Sequence, residues 1–271
     1  NIRHLLLDKS YDASSPYSCP EVESGIWARG GVVVDPDPAM AGRIYATTGN
    51  GLFNANAGGS DYGDSVLSLS ADGSALLRSF TPADYNHLQA QDVDLGSTAP
   101  ALLPREPRSR TPLMAVQGGK DGIVRLLNRA RLGGVHGELQ DLAVPGATLF
   151  TAPAVWRRPG GGTWVYIGDS SAVTALRLVT DTRGTSRLVV AWNAQVSGTS
   201  PVVVNGVVFA AGGGALNALD AHTGAVLWSS TRPTAGGSIG GIHWESPIAV
   251  DGWVYISDEN GHLTAYALPG R

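Results

Sequence analysis

Ala218-Leu219-Asp220-Ala221-His222-Thr223-Gly224-Ala225-Val226-Leu227-Trp228 reads as strand, tight turn and strand. Leu216, Ala218 and Asp220 close the first strand. His222-Thr223-Gly224 makes the turn, because glycine accepts the positive φ that a tight reversal demands. Val226 and Trp228 fall on one face of the next strand, at the two-residue period of an extended chain. The rest of the sequence reads as further copies of the unit around this stretch.

Those copies start on a small residue and proline. They are Ala99-Pro100, Ala152-Pro153, Ser200-Pro201 and Ser246-Pro247, each followed by an apolar run, and they recur every 46 to 53 residues. Gly30-Gly31-Val32-Val33-Val34 is an earlier copy with glycine in place of proline. Each run leads to a turn (Gly160-Gly161-Gly162, Asn205-Gly206 or Asp251-Gly252) and a second strand, and Asn-Gly and Asp-Gly are strong hairpin signals. Third strands follow at Val66–Leu69, Ile123–Leu127, Val173–Leu178, Ala215–Leu219 and Leu263–Leu268. Fourth strands show at Leu76–Phe80, Leu188–Trp192 and Val226–Trp228. Four antiparallel strands repeated at this period describe the blades of an all-β propeller.

Five blades are expected, near residues 25–82, 95–142, 147–196, 198–230 and 240–268, after an N-terminal segment over 1–24. The last blade stops after three strands. Either Ile2–Leu7 supplies its fourth strand and closes a five-bladed ring, or missing blades come from a removed N-terminal part or another chain. An unpaired strand edge would otherwise invite aggregation. Gly51–Gly63, rich in Gly, Asn and Asp, interrupts the first blade and is a candidate rim loop for binding, or simply a solvated loop. Ala83–Gln91 is expected to form a short helix with Asp84 as N-cap.

Composition agrees with a turn-rich β protein. Of 271 residues, 43% are hydrophobic, only 15% are charged and 36 are glycine. The net charge is −4 with no basic run, which argues against nucleic acid as a partner. No apolar stretch approaches the 18 residues of a membrane span. Cys19 is the single cysteine, so no intrachain disulfide forms, and it reads as a spectator. The six histidines lack metal-ligand spacing. Neither a phosphate loop nor a convincing Gly-x-Ser-x-Gly nucleophile elbow is present.

The Ala218–Trp228 stretch resembles the repeat of the pyrroloquinoline quinone (PQQ) propellers, Ala-x-Asp-x-x-Thr-Gly-x-x-x-Trp, in which the Trp packs between blades. Ala218, Asp220, Thr223, Gly224 and Trp228 match it. The resemblance covers essentially the whole chain, as the C-terminal five blades of such a propeller. The family holds quinoprotein alcohol dehydrogenases and also non-catalytic scaffolds of outer-membrane protein assembly.

Four segments are similar to parts of the dehydrogenase site, in family order. Gly25-Ile26-Trp27 with Val33-Val34-Asp35-Pro36 resembles the segment whose Trp floors the quinone. Tyr45 to Gly51 resembles the strand end whose Asn, here Asn50, binds calcium. Asp92-Val93-Asp94-Leu95-Gly96 resembles the segment of the catalytic aspartate, here Asp94. Gly119-Lys120-Asp121-Gly122 with Asn128-Arg129 resembles the segment whose cation, here Lys120, contacts the quinone. The resemblance implies that Trp27 stacks, Asn50 offers calcium an amide oxygen, Asp94 takes the alcohol proton and Lys120 stabilises the reduced quinone. Each also has an ordinary reading: Trp27 fills a gap between blades, Gly49-Asn50-Gly51 and Lys120-Asp121-Gly122 are turns, and Asp94 caps a loop. His243-Trp244-Glu245 reads either as residues at the propeller's mouth or, the favoured reading, as a packed Trp with solvated neighbours.

The chain departs from the dehydrogenase pattern. It lacks the adjacent cysteine pair, the earlier-blade carboxylate ligand of calcium and a Cys-x-x-Cys-His haem motif. The expected function is therefore a non-catalytic, extracytoplasmic (periplasmic or secreted) scaffold propeller with a protein partner or missing blades. The alternative is the C-terminal part of a PQQ- and calcium-dependent alcohol dehydrogenase.

Overall fold

In a computed structural model, described over residues 23–146, 148, 151–233 and 236–267, β-strands dominate and fall into five sheets. Blade 1 comprises β1 (Val33–Val34), β2 (Ile44–Thr47), β3 (Val66–Leu69) and β4 (Leu76–Thr81). Blade 2 comprises β5 (Ala101–Leu102), β6 (Met114–Gln117), β7 (Ile123–Asn128) and β9 (Gln140–Ala143). Between β7 and β9, the two-residue β8 (Gly134–Val135) leaves blade 2 and pairs parallel with β4 as a fifth strand of blade 1. Blade 3 comprises β10 (Ala154–Arg157), β11 (Thr163–Gly168), β12 (Val173–Thr180) and β13 (Ser186–Ala194). Blade 4 comprises β14 (Val202–Val204), β15 (Val207–Gly212), β16 (Ala215–Asp220) and β17 (Val226–Ser229). Blade 5 comprises β18 (Ile248–Val250), β19 (Trp253–Ser257) and β20 (Leu263–Ala267). The proposed closing strand Ile2–Leu7 and Cys19 lie outside the described residues.

The hairpin signals act as their chemistry requires. Asn205-Gly206 and Asp251-Gly252 both hold positive φ at each residue, near 50° and 81°, which is the type I′ turn that matches strand twist. The turn of the repeat is built by one carboxylate. Asp220 Oδ1 accepts from the backbone N–H of His222 and Thr223 and from the Thr223 hydroxyl, while Gly224 takes a φ of 74°. Helix α1 (Tyr85–Gln91) forms where expected, but the Asp84 side chain makes no capping bond. It lies instead 3.9 Å from the Arg125 guanidinium.

The blades pack face to face through apolar clusters. Val66, Phe80, Leu95 and Leu127 join blades 1 and 2. Met114, Val116, Val165 and Ile167 join blades 2 and 3. Trp164, Tyr166, Val208 and Leu219 join blades 3 and 4, and Ala211, Leu216 and Ile256 join blades 4 and 5. Repeat tryptophans sit in these seams. The Trp192 indole N–H donates to the Ala221 carbonyl of the next blade at 3.1 Å, and Trp228 packs edge-on to Tyr266 with centroids 5.1 Å apart. Among the described residues no such cluster joins blade 5 to blade 1.

Candidate functional site

The lead-ins to the first strand of each blade gather on one rim. Arg29 bridges to Thr98, the Ala152 N–H donates to the Ser200 hydroxyl, and the Thr199 hydroxyl donates to the Glu245 carbonyl. The circuit returns to blade 1 through Trp244, whose ring meets Trp27 edge-on at 6.0 Å. The first strands of blades 1 to 3 and their lead-ins line a cavity of about 390 Å³ beside this rim.

Trp27, Asn50, Asp94 and Lys120 come together here. Asn50 follows β2, Asp94 precedes β5 and Lys120 follows β6, so all three loops open on the same rim. Asp94 is the hub. Its Oδ1 accepts the Asn50 backbone N–H at 2.7 Å, and its Oδ2 pairs with the Lys120 ammonium. The Lys120 ammonium also reaches the Asp92 carboxylate at 3.1 Å and stands 5.4 Å from the Trp27 ring centroid. The Asn50 side-chain N–H donates to Asp92 at 2.9 Å, and the Asn50 amide oxygen is buried with no hydrogen-bond partner. Burial pulls the Lys120 ammonium down, but its bonds to Asp94 and Asp92 outweigh this and leave its pKa above the usual lysine value.

Glycines make the approach possible. A Cβ on Gly49 would sit 2.4 Å from Asp94 Oδ1 and 2.7 Å from the Trp27 indole nitrogen. A Cβ on Gly96 would sit 2.4 Å from the Gly49 backbone nitrogen. Any side chain at either position would push the Asn50 and Asp94 loops apart. Below them Gln117 is fully buried, with its amide nitrogen facing the carbonyls of Leu95, Thr98 and Gly118 and its oxygen accepting from the Thr47 hydroxyl. The Asp94 loop is thereby fixed to β2 and β6.

Arg129 is not part of this cluster. It lies buried between blades 1 and 2, where its Nε and Nη2 donate to the two oxygens of Asp35 at 2.7 and 3.1 Å. Both the Asn128-Arg129 segment and Asp35 thus serve the blade seam. Sequence reasoning left Asp92 out of the site and favoured a packed role for Trp244 over a place at the propeller's mouth. Asp92 sits in the quoted Asp-Val-Asp segment and was legible; Trp244 meets Trp27 across the rim, a contact no linear pattern reports. His243 stacks on Trp244 at 4.3 Å, so this Trp is an exposed rim residue rather than a packed one with solvated neighbours.

The fit to calcium and quinone can be weighed atom by atom. Trp27 is 38% exposed and presents an aromatic surface, Lys120 a cation, and Asn50 an unpartnered oxygen. The Trp surface and the amide oxygen suit one edge of a planar quinone, while the Lys120 charge is already paired with Asp94 and Asp92. Calcium wants six to eight oxygens. The Asp94 carboxylate is already engaged by Lys120 and Asn50, and among the described residues no group of three or more His, Cys, Asp or Glu is placed to hold a metal. The four residues alone do not fit calcium. No helix among the described residues is long and apolar enough to cross a membrane.

No family model and no curated protein matches the sequence. Solved structures do match in fold. The quinohemoprotein alcohol dehydrogenase ADHIIG from Pseudomonas putida HK5 superposes with a TM-score of 0.54 at 15% identity, covering 86% of this chain and 44% of that one. Sqt1 from Saccharomyces cerevisiae gives 0.52 at 12%, covering 94% and 62%. A europium-containing methanol dehydrogenase gives 0.50 at 14%, covering 86% and 50%. The chain therefore spans roughly half to under two thirds of the length of these neighbours. Four-stranded sheets, inter-blade tryptophans and these likenesses together give the chain the fold of the PQQ-like β-propellers.

Proposed function

We propose that the chain is a binding and assembly propeller, extracytoplasmic in location, that works joined to a further polypeptide. One observation carries this reading. The outward face of blade 5 is apolar and exposed: Ile248 is 62% exposed, Val250 50% and Leu263 72%. Contiguous apolar surface of this kind on a sheet face marks a place where another protein sits. Native mass spectrometry on protein isolated from its natural source tests the reading. A second polypeptide retained with the chain is expected; a lone chain at its own mass contradicts it.

A second reading is favoured by the meeting of Trp27, Asn50, Asp94 and Lys120. In it, the chain supplies one wall of a quinone site whose remaining groups, including further oxygen ligands for calcium, come from the other polypeptide. The assembled protein from its natural source would then carry a quinone and calcium, both lost on Trp27→Ala or Asn50→Ala. An intact assembly holding neither contradicts this second reading.

A further inference from the structure

On the rim away from Trp27, one loop of blade 2 crosses to blade 3. It joins β5 to β6 over residues 103–113 and includes Pro104-Arg105-Glu106-Pro107-Arg108-Ser109-Arg110. Its shape is fixed from within. Glu106 is buried, its N–H donates to the Pro112 carbonyl at 3.0 Å, and its Oε1 accepts from the Arg108 backbone N–H at 3.2 Å and from Arg108 Nε at 3.1 Å. Blade 3 holds the same loop from outside. The Arg110 N–H donates to the Gly184 carbonyl at 2.8 Å, and the buried hydroxyls of Ser186 and Ser109 share a bond of 2.8 Å. Arg157 Nη1 donates to the Arg105 carbonyl at 3.1 Å.

These ties gather three loops: 103–113, the β10–β11 turn and the β12–β13 turn. Together they expose six arginines, Arg105, Arg108, Arg110, Arg157, Arg158 and Arg183. Three carboxylates adjoin them. Asp37 takes the fork of Arg105, whose Nε and Nη2 reach its two oxygens at 3.0 and 2.9 Å. Glu106 is engaged by Arg108, and Asp181 Oδ1 accepts the backbone N–H groups of Arg183 and Thr185 in its own turn. Arg110, Arg157, Arg158 and Arg183 make no ion pair among the described residues. The rim is thus positive on a chain whose net charge is −4. Like charges gathered on a fixed backbone repel one another, and an arriving anion relieves that repulsion.

We infer that this arginine rim of blades 2 and 3 is a docking surface for an acidic segment of a protein partner, held through its carboxylates. The Arg105–Asp37 fork shows the mode, two parallel N–H···O bonds from one guanidinium to one carboxylate. The positive charge is local to two blades. A nucleic acid duplex or an anionic lipid surface would also meet the acidic remainder of the chain, whereas a short peptide segment meets the rim alone. No residue of the exposed blade 5 face takes part, so this surface stands or falls independently of that one.

The test titrates the full chain into fluorescein-labelled octaglutamate and reads fluorescence anisotropy. Saturable binding is expected, weakened about ten-fold or more as salt rises from about 0.01 M to about 0.15 M. The double variant Arg110→Gln/Arg183→Gln removes two side chains that make no ion pair. It should keep the parent's melting temperature and bind the peptide about five-fold more weakly. Arg78→Gln/Arg232→Gln removes the same charge elsewhere and should change the affinity by less than about two-fold. A second measurement needs no variant. Octaglutamate ending in p-benzoylphenylalanine, irradiated with the parent chain, should crosslink within 103–113, 157–162 or 181–185, and this decides the matter if the rim variant fails to fold. Absence of saturable binding, equal weakening by the two double variants, or crosslinks confined to other segments overturns the inference. So does tighter binding of duplex DNA or of phosphatidylglycerol vesicles than of the peptide at the same salt. Such a failure leaves the blade 5 face and its partner untouched.

Discussion

Asp64 is the residue most out of its ordinary state. Burial pushes its carboxyl up to about 7, and the neighbouring Asp94 and Asp121 push the same way against a bond from the Leu95 N–H and the charge of Arg125. A carboxyl whose pKa is higher folded than unfolded stabilises the fold in its protonated form. That contribution is full below about pH 4 and is lost as the pH rises through about 7. Asp64→Asn keeps an oxygen for the Leu95 N–H, and asparagine tolerates the local φ of 45°. The variant should match the parent at pH 4 and be more stable at pH 8 by on the order of 2–4 kcal/mol. Equal melting differences at the two pH values would contradict this. Asp35 and Arg129 form a buried bidentate pair across the first seam. Asp35→Asn leaves the guanidinium uncompensated and should cost about 3–5 kcal/mol in urea unfolding; a loss under about 1 kcal/mol would contradict a structural role. The sequence placed Arg129 near the site because it follows Lys120 in one segment. Its side chain turns inward because Asp35, the Leu103 and Met114 carbonyls and the adjoining seam satisfy it there, and no linear pattern reports such a pairing. By contrast, Trp27, Asn50, Asp94 and Lys120 were singled out by the resemblance of their segments to the dehydrogenase site, and their segments open on one rim.

At the scale of elements, the repeat turn both ends a strand and locks two blades. Gly224 shows the two roles together. Gly224→Ala meets a positive φ and the Trp192 ring, and should cost about 2–3 kcal/mol. Gly261 has a similar φ of 79° with nothing near its missing Cβ. Gly261→Ala should therefore cost only about 1 kcal/mol, and the difference in denaturation midpoints isolates the blade contact. Equal losses would remove Gly224 from the seam. Most strands were legible from the alternation of apolar residues and from Asn-Gly and Asp-Gly turns. β8 was not. Gly134-Val135 has no periodicity to read, and its parallel pairing with β4 is decided by where the loop crosses the seam. At the site, Gly49 and Gly96 set the distance between two loops. Gly96→Ala should separate Asp94 from Asn50 and shift the fluorescence of the adjoining Trp27, whereas an unchanged spectrum would mean that the loops give way elsewhere.

For the whole molecule, five blades form an array sealed at four seams, and among the described residues nothing covers the forward face of the fifth. The Trp27–Trp244 contact joins the ends of this array near the axis. The five blades and their antiparallel strands were present in the sequence. Which face is left bare was not, because that depends on which strand face turns back onto blade 4. Amide hydrogen exchange on the isolated chain reads this directly, since protection follows burial and seam packing. Slowest exchange is expected in β11, β12, β15 and β16, between two neighbours, and exchange faster by orders of magnitude in β19 and β20. Protection of β19 and β20 equal to that of β11 and β12 would show that the chain itself covers its fifth blade, and would contradict the account.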